Sequence, residues 1–308
     1  MPHVRRSYFF MLGLAVGLTY AAASLAGCGT DQAASPGAGT DGGGTADAAA
    51  DGPAMNTDGS RLGDASVDGG GGPRDSIGFA QLSSSMLAFH LRTTTASPGE
   101  VTATLTSSGV VPIVGDWDGD GVDTIGSYSP TTSTFFLRNS NTDGSPTITV
   151  AFGVPGVESL PVRGDWTKSG KDAVGMYDPT TGSFHLQIGG TDKTFLFSAS
   201  DAGVFFPLAG DWDGDGIDTV GLYGFSEGSF FLKNSNDANP ATNIPVFTFG
   251  AGGGIPIAGD WNGKGSDSVG FFVAPEFSLR NSNSAGPADF TISYGISGST
   301  ALAGRWTK

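Results

Sequence analysis

From residue 75 onward the chain alternates apolar and polar positions in short runs, cut by Gly, Pro, Asn, Asp and Ser. TFFLRNSN (134–141), SFFLKNSN (229–236) and FSLRNSN (277–283) alternate with a period of two, and TITVAFG (147–153), PVFTFG (245–250) and FTISYG (290–295) follow them. Such alternation between turn residues predicts half-buried β-strands. Two more apolar runs complete each unit. One ends near an aromatic: DTIGSY (123–128), DAVGMY (172–177), DTVGLY (218–223) and DSVGFF (267–272). The other carries proline and leads into an acidic loop: VPIVGDW, LPVRGDW, FPLAGDW and IPIAGDW. No stretch keeps a helical period beyond two turns.

The unit repeats. GDWDGDGVDTIG begins at 115, GDWTKSGKDAVG at 164, GDWDGDGIDTVG at 210 and GDWNGKGSDSVG at 259, and GRW at 304 starts a fifth copy. Trp117, Trp166, Trp212, Trp261 and Trp306 are therefore spaced by 49, 46, 49 and 45 residues. A fixed period of about 47 residues holding four short strands is the pattern of a β-propeller blade. DSIGF (75–79) matches the run after an acidic loop, and STALAGRW (299–306) matches the run before one. The two ends then complete one blade between them. This predicts a closed five-bladed propeller of four-stranded blades: 75–108 with 299–308, then 109–156, 157–203, 204–253 and 254–298.

The residues before 75 read differently. Arg5 and Arg6 precede an apolar run from Tyr8 to Leu25, then Leu25-Ala26-Gly27-Cys28. A basic start, an apolar core and small residues before a cut site make a signal peptide, assigned to 1–27. It resembles a bacterial lipoprotein signal. That resemblance implies a lipidated Cys28, membrane attachment through it, and an outer-membrane or cell-surface address. Residues 28–74 are Gly-, Ala- and Asp-rich and too poor in apolar residues to offset chain entropy by burial. They read as a tether, and 75–308 as the folded domain. A net charge of −15 argues against nucleic acid as a partner.

Acids crowded at alternate positions around a glycine suit calcium, which takes six to eight oxygen ligands. Asp116, Asp118, Asp120 and Asp123 meet that demand, with the Val122 carbonyl as a further oxygen; Asp211, Asp213, Asp215 and Asp218 repeat it, with Ile217. The other loops are depleted: Asp165, Thr167 and Ser169 before Asp172, and Asp260, Asn262 and Lys264 before Asp267. Arg305 stands where the fifth copy needs its first Asp. Two calcium sites are expected, and Lys264 is expected to set its ammonium where a metal would be. The alternative for any such loop is an Asx-turn, in which carboxylates cap backbone amides.

The loop, the D-x-[VI]-G strand after it and the closing F-G or Y-G resemble the FG-GAP/VCBS-type repeats of integrin α-subunit heads and many bacterial surface proteins. The resemblance covers nearly all of 75–308. It implies propeller blades, often with calcium in this loop. The usual spacing is D-x-[DN]-x-D-G-x-x-D; here the last acid stands one residue earlier.

The five tryptophans read either as packing between blades or as platforms stacking on a sugar. Arg138, Lys233 and Arg280 recur at the R/K-N-S-N turns, as a polar ligand rim or as solvated hairpins. His90 and His185 lie in alternating runs, and no Walker loop, HExxH or nucleophile elbow is visible. The reading is a non-catalytic, calcium-stabilised surface module for binding or adhesion to carbohydrate or protein. Tachylectin-like five-bladed lectins have a similar repeat length, which inclines it towards sugars. The rivals are a hydrolase-type enzyme with its site at the propeller mouth and a scaffold without a small ligand. Oligomeric state is left open.

Overall fold

The computed structural model describes residues 75–84, 86–94, 99–198 and 203–308. Cys28 and the linker lie outside them. Twenty strands form five antiparallel sheets of four, the predicted propeller. The first blade joins both ends of the chain: β1 (Ser76–Ser83), β2 (Met86–Arg92), β3 (Glu100–Thr106) and β20 (Thr300–Gly304), in the order β20-β1-β2-β3. The second holds β4 (Val111–Gly115), β5 (Thr124–Ser129), β6 (Thr134–Leu137) and β7 (Ile148–Ala151). The third holds β8 (Leu160–Gly164), β9 (Ala173–Asp178), β10 (Ser183–Ile188) and β11 (Thr191–Leu196). The fourth holds β12 (Phe205–Gly210), β13 (Thr219–Gly224), β14 (Ser229–Leu232) and β15 (Phe247–Thr248). The fifth holds β16 (Ile255–Gly259), β17 (Ser268–Val273), β18 (Glu276–Leu279) and β19 (Phe290–Ser293).

The strands that lead into the acidic loops, β4, β8, β12, β16 and β20, touch one another in a ring and line the axis. They all run from one face of the disc to the other. We term their starting side the cup face and their far side the loop face. The strand expected over 245–250 shrinks to Phe247–Thr248. Pro245 cannot donate to a ladder, and Gly250 turns the chain at φ +85°.

The hydrophobic core lies between blades. Ile113, Trp117, Tyr128 and Phe135 of the second blade pack on Val174 and Met176 of the third. Trp166, Tyr177 and Phe184 of the third meet Phe205, Val220 and Leu222 of the fourth. The series continues round the ring until Trp306 and Leu91 of the first blade meet Val114 and Ile125 of the second. No blade can bury its apolar faces without both neighbours, which makes closure the main source of stability.

The glycine of each GDW fits this packing by lacking a side chain. A Cβ on Gly210 would sit 2.8 Å from the Asp267 carboxylate and 3.0 Å from the Trp212 ring, and one on Gly115, Gly164, Gly259 or Gly304 would lie 2.7–3.1 Å from an aspartate of the adjacent blade. Gly210→Ala is expected to lower stability by about 1–3 kcal/mol through overpacking. Chemical denaturation of the variant, with its circular dichroism unchanged under native conditions, measures this.

Candidate functional site

The acid that precedes each D-x-[VI]-G strand serves the adjacent blade. Asp123 Oδ2 accepts from the Arg305 amide at 2.7 Å, Asp172 from Asp116 at 3.1 Å, and Asp218 from Asp165 at 2.8 Å. Asp267 accepts from Asp211 at 3.0 Å, and Asp75 from Asp260 at 2.9 Å. Each aspartate also returns its own amide to the carbonyl of the same partner, at 2.7–3.2 Å. Five two-bond latches thus join five blades, and the one that closes the ring has the form of the others.

The five latch carboxylates surround the axis, with Arg163 reaching in among them and the charge of Arg305 also acting on Asp75 and Asp123. Arg163 replaces the small or aliphatic residue of the other copies (Val114, Ala209, Ala258, Ala303) and reaches to 3.4 Å from Asp172 and 4.0 Å from Asp123. Its guanidinium also donates to the Ala303 carbonyl at 3.4 Å. Burial pushes all five carboxyls above the usual range. For Asp75 burial and the charge of Asp123 raise the pKa to about 6; Asp172 and Asp267 rise well above normal, opposed in both by Arg163. Asp123 and Asp218 also rise through burial, which Arg163 partly offsets. Burial alone would weaken the charge on Arg163, yet Asp172, Asp123, Asp218 and Asp267 hold it firmly protonated.

This changes the expected metal loops. Asp123 and Asp218 are spent on latches and lie outside the clusters. Asp116, Asp118 and Asp120 each bring one carboxylate oxygen within 4.8 Å of the others, as do Asp211, Asp213 and Asp215. The amides of Val122 and Ile217 donate to Asp120 and Asp215, at 3.0 and 2.8 Å. Asp116 accepts three amides, from Gly119, Asp120 and Gly121, at 2.7–3.1 Å; Asp211 accepts three in the same way. The depleted loops build the same cage: Asp165 takes Thr167, Ser169 and Gly170, and Asp260 takes Lys264 and Gly265. The first aspartate and the left-handed glycines therefore shape the turn in all four loops that carry that aspartate, as the Asx-turn alternative has it. Three hard oxygens per complete loop fit calcium with water filling most of its shell.

Lys264 enters its loop through its backbone amide; the ammonium groups near the complete loops come from elsewhere. Lys308 stands 3.2 Å from Asp120, and Lys168 donates to the Asp215 carbonyl at 2.5 Å.

The tryptophans are 1–8 % exposed and present no face to a sugar. Trp117, Trp261 and Trp306 donate their indole N–H to the Thr124, Ser268 and Ile77 carbonyls. The R/K-N-S-N residues clamp their own loops rather than forming a rim. Arg138 donates to the Thr142, Asp143 and Ser145 carbonyls, and Arg280 to Pro287, Ser282 and Ser284. The buried Lys233 ammonium donates to Asn239 and Asn243. Lys233 and Arg280 also lie over Phe197 and Phe249 of the preceding blade. The last Asn of the motif reaches a latch, as Asn141, Asn236 and Asn283 donate to the Asp123, Asp218 and Asp267 carbonyls.

At the cup face the axis opens into a cavity of about 350 Å³. Pro112, Pro161, Pro207 and Pro256 ring it, Leu82 and Val110 stand at its rim, and Thr300 supplies a hydroxyl. Sequence reasoning missed the cup, although a proline at one position of four copies marked it. A narrower neck of about 140 Å³ leads on to Arg163.

A carboxyl raised from 3.8 to about 6 holds its proton more tightly in the folded state, so its contribution falls as pH rises across that window. Asp75→Asn keeps an acceptor for the Asp260 amide and removes the charge. The variant is expected to melt higher than the parent at pH 7 and to lose part of the parent's decline between pH 4 and 6, in thermal melts across that range.

No family model matches the chain, and no curated protein matches it. Two solved structures are similar to it in fold. A luciferin-regenerating enzyme aligns with TM-score 0.41 and 11% identity, over 73% of this chain and 78% of its own. A lectin of Agrocybe aegerita that recognises non-reducing terminal N-acetylglucosamine aligns with TM-score 0.39 and 13% identity, over 73% and 78%. At these values neither likeness bears on activity or ligand.

Proposed function

We propose that the chain is an exported lipoprotein of FG-GAP/VCBS type, whose propeller is a calcium-holding, non-catalytic binding module at the outer membrane or cell surface. The observation that carries this reading is the polarity of the disc. Asp75, where the described chain begins, and Lys308 both lie on the loop face, at Asp260 and Asp120. The cup opens on the opposite face. The cup face thus carries neither Asp75 nor Lys308, and is the side of the ring left open to a ligand. The most strongly shifted acids, which an enzyme would use at the ring's mouth, are engaged with the backbone of the adjacent blade. That favours binding over hydrolysis.

Calcium in this reading neutralises Asp116, Asp118 and Asp120, and Asp211, Asp213 and Asp215, whose carboxylates otherwise repel at close range. Exposed loops with three carboxylates belong with extracellular calcium modules, whose Kd is about 10⁻⁴–10⁻³ M. Titration of calcium into the full chain, stripped with chelator, is expected to reveal two weak sites. With a Kd near 10⁻⁴ M, 10 mM calcium would stabilise by about 2.7 kcal/mol per site. Asp118→Ala with Asp213→Ala is expected to abolish both the heat and the rise in melting temperature. No heat and no shift at 10 mM calcium would remove the metal from the proposal.

Attachment is tested apart from binding. Cys28→Ala is expected to move the protein from the membrane fraction to the soluble one and to abolish labelling by a radioactive fatty acid. Unchanged fractionation and labelling would refute lipidation.

A further inference from the structure

The two faces of the ring differ in composition as well as in shape. Leu82, Met86, Val110, Val154, Val273 and Ile296 are 43–64 % exposed and lie at cup-face ends of strands or in the turns there, while the equally exposed Leu196 and Val246 belong to the outer strands, at the end of β11 and just before β15. Scattered exposed apolar residues are ordinary, but Leu82 and Val110 also line the cup, where with the four prolines they make one apolar concavity of the kind that marks an interaction surface. Charge divides the same way. Among the described residues, Arg92, Arg138, Arg163, Lys233, Arg280 and Arg305 stand at loop-face ends of strands, and Lys168, Lys171, Lys264 and Lys308 in or beside the acidic loops. The remaining base, Lys193, sits mid-strand in β11. The cup face carries acids without bases: Glu158 ahead of β8, Asp178 at the end of β9, Glu227 after β13 and Glu276 at the start of β18.

We propose that the cup is the docking site for a segment of a partner protein that seats one apolar side chain among the four prolines and sets Lys or Arg against the acids of the surrounding cup face. This rests on the binding-module reading above and selects protein from its two ligand classes. A sugar is a poor occupant. Its hydroxyls would be stripped of water against C–H walls with the Thr300 hydroxyl and a few backbone groups to meet them, and unpaired hydroxyls are costly to bury. A carboxylate-headed amphiphile is also disfavoured, since the neck beneath the cup leads to Arg163, whose charge is already met by Asp172, Asp123, Asp218 and Asp267. A basic, apolar-tipped segment satisfies both terms: the tip removes proline and aliphatic surface from water, and its flanks complement the sign of the cup-face acids.

The test uses the full chain and three capped hexapeptides in fluorescence polarisation: Lys-Arg-Phe-Leu-Arg-Lys, Glu-Asp-Phe-Leu-Asp-Glu and Lys-Arg-Gly-Ser-Arg-Lys. The first is expected to bind at least tenfold tighter than the others and to weaken as salt rises. Ala301→Phe, which fills the cup, and Leu82→Lys at the exposed rim are each expected to weaken it at least tenfold. Lys264→Ala on the loop face is expected to leave it unchanged. Because Leu82 is exposed, its variant tests the surface even where Ala301→Phe fails to fold. Equal binding of all three peptides, or unchanged affinity in Leu82→Lys, overturns the docking site. A glycan array read in parallel separates the two proposals. Glycan binding that survives Leu82→Lys keeps the binding module and discards the protein docking site, whereas silence towards both peptides and glycans discards both.

Discussion

Each blade of this protein holds the next by a carboxylate that leaves its own loop to take a backbone amide across the gap, and much else follows from that bond. It requires a glycine opposite, because a Cβ on Gly115 or Gly164 would occupy the space of the incoming aspartate and of the local indole. It draws five carboxylates to the axis, where burial disfavours their charge. It therefore favours a cation at the centre, and Arg163 supplies one from a strand position that is aliphatic or small in the other four copies. Removing the cation from such a buried cluster leaves carboxylates without their compensating charge, which is far costlier than never having built it. Arg163 thus carries a burden out of proportion to its loose contacts of 3.4 and 4.0 Å.

The architecture was legible because it is repeated. Four apolar runs and one acidic loop per period gave blade number, strand count and the joining of 75–108 with 299–308, which the β20-β1-β2-β3 sheet reproduces. The latch was not legible, because Asp123 and Asp218 stand among other acids and look like members of one ligand set. The signal lay in the poorer copies. Asp172 and Asp267 persist where neighbouring acids have become Thr, Ser, Asn or Lys, and Asp75 persists with no loop before it. An acid that outlasts its supposed metal has another partner. Arg163 was marked in the same way, as a single charge in an otherwise apolar run.

Two kinds of residue that suggested a ligand turn out to serve the frame. The indoles fill the space between sheets. The cations after the third strand tie down their own loops, and Lys233 and Arg280 also rest on a phenylalanine of the blade before. Period-two patterning tells which side of a strand is buried, but not whether a residue just past its end turns out to water or folds back. The cup was hidden for a related reason. It belongs to no single blade, and arises only when five inner strands begin around one axis with proline or alanine at the equivalent position of each.

The latch between Arg305 and Asp123 does for the first and second blades what the Asp116–Asp172 latch does for the second and third, and in the first blade the sheet passes from β20 to β1 without a covalent link. The molecule has no privileged seam. A circular permutant whose chain opened before β9 instead, with the present ends spliced, would meet the same arrangement of hydrogen bonds at its new junction. Which strand opens this ring is an accident of history rather than a requirement of the fold.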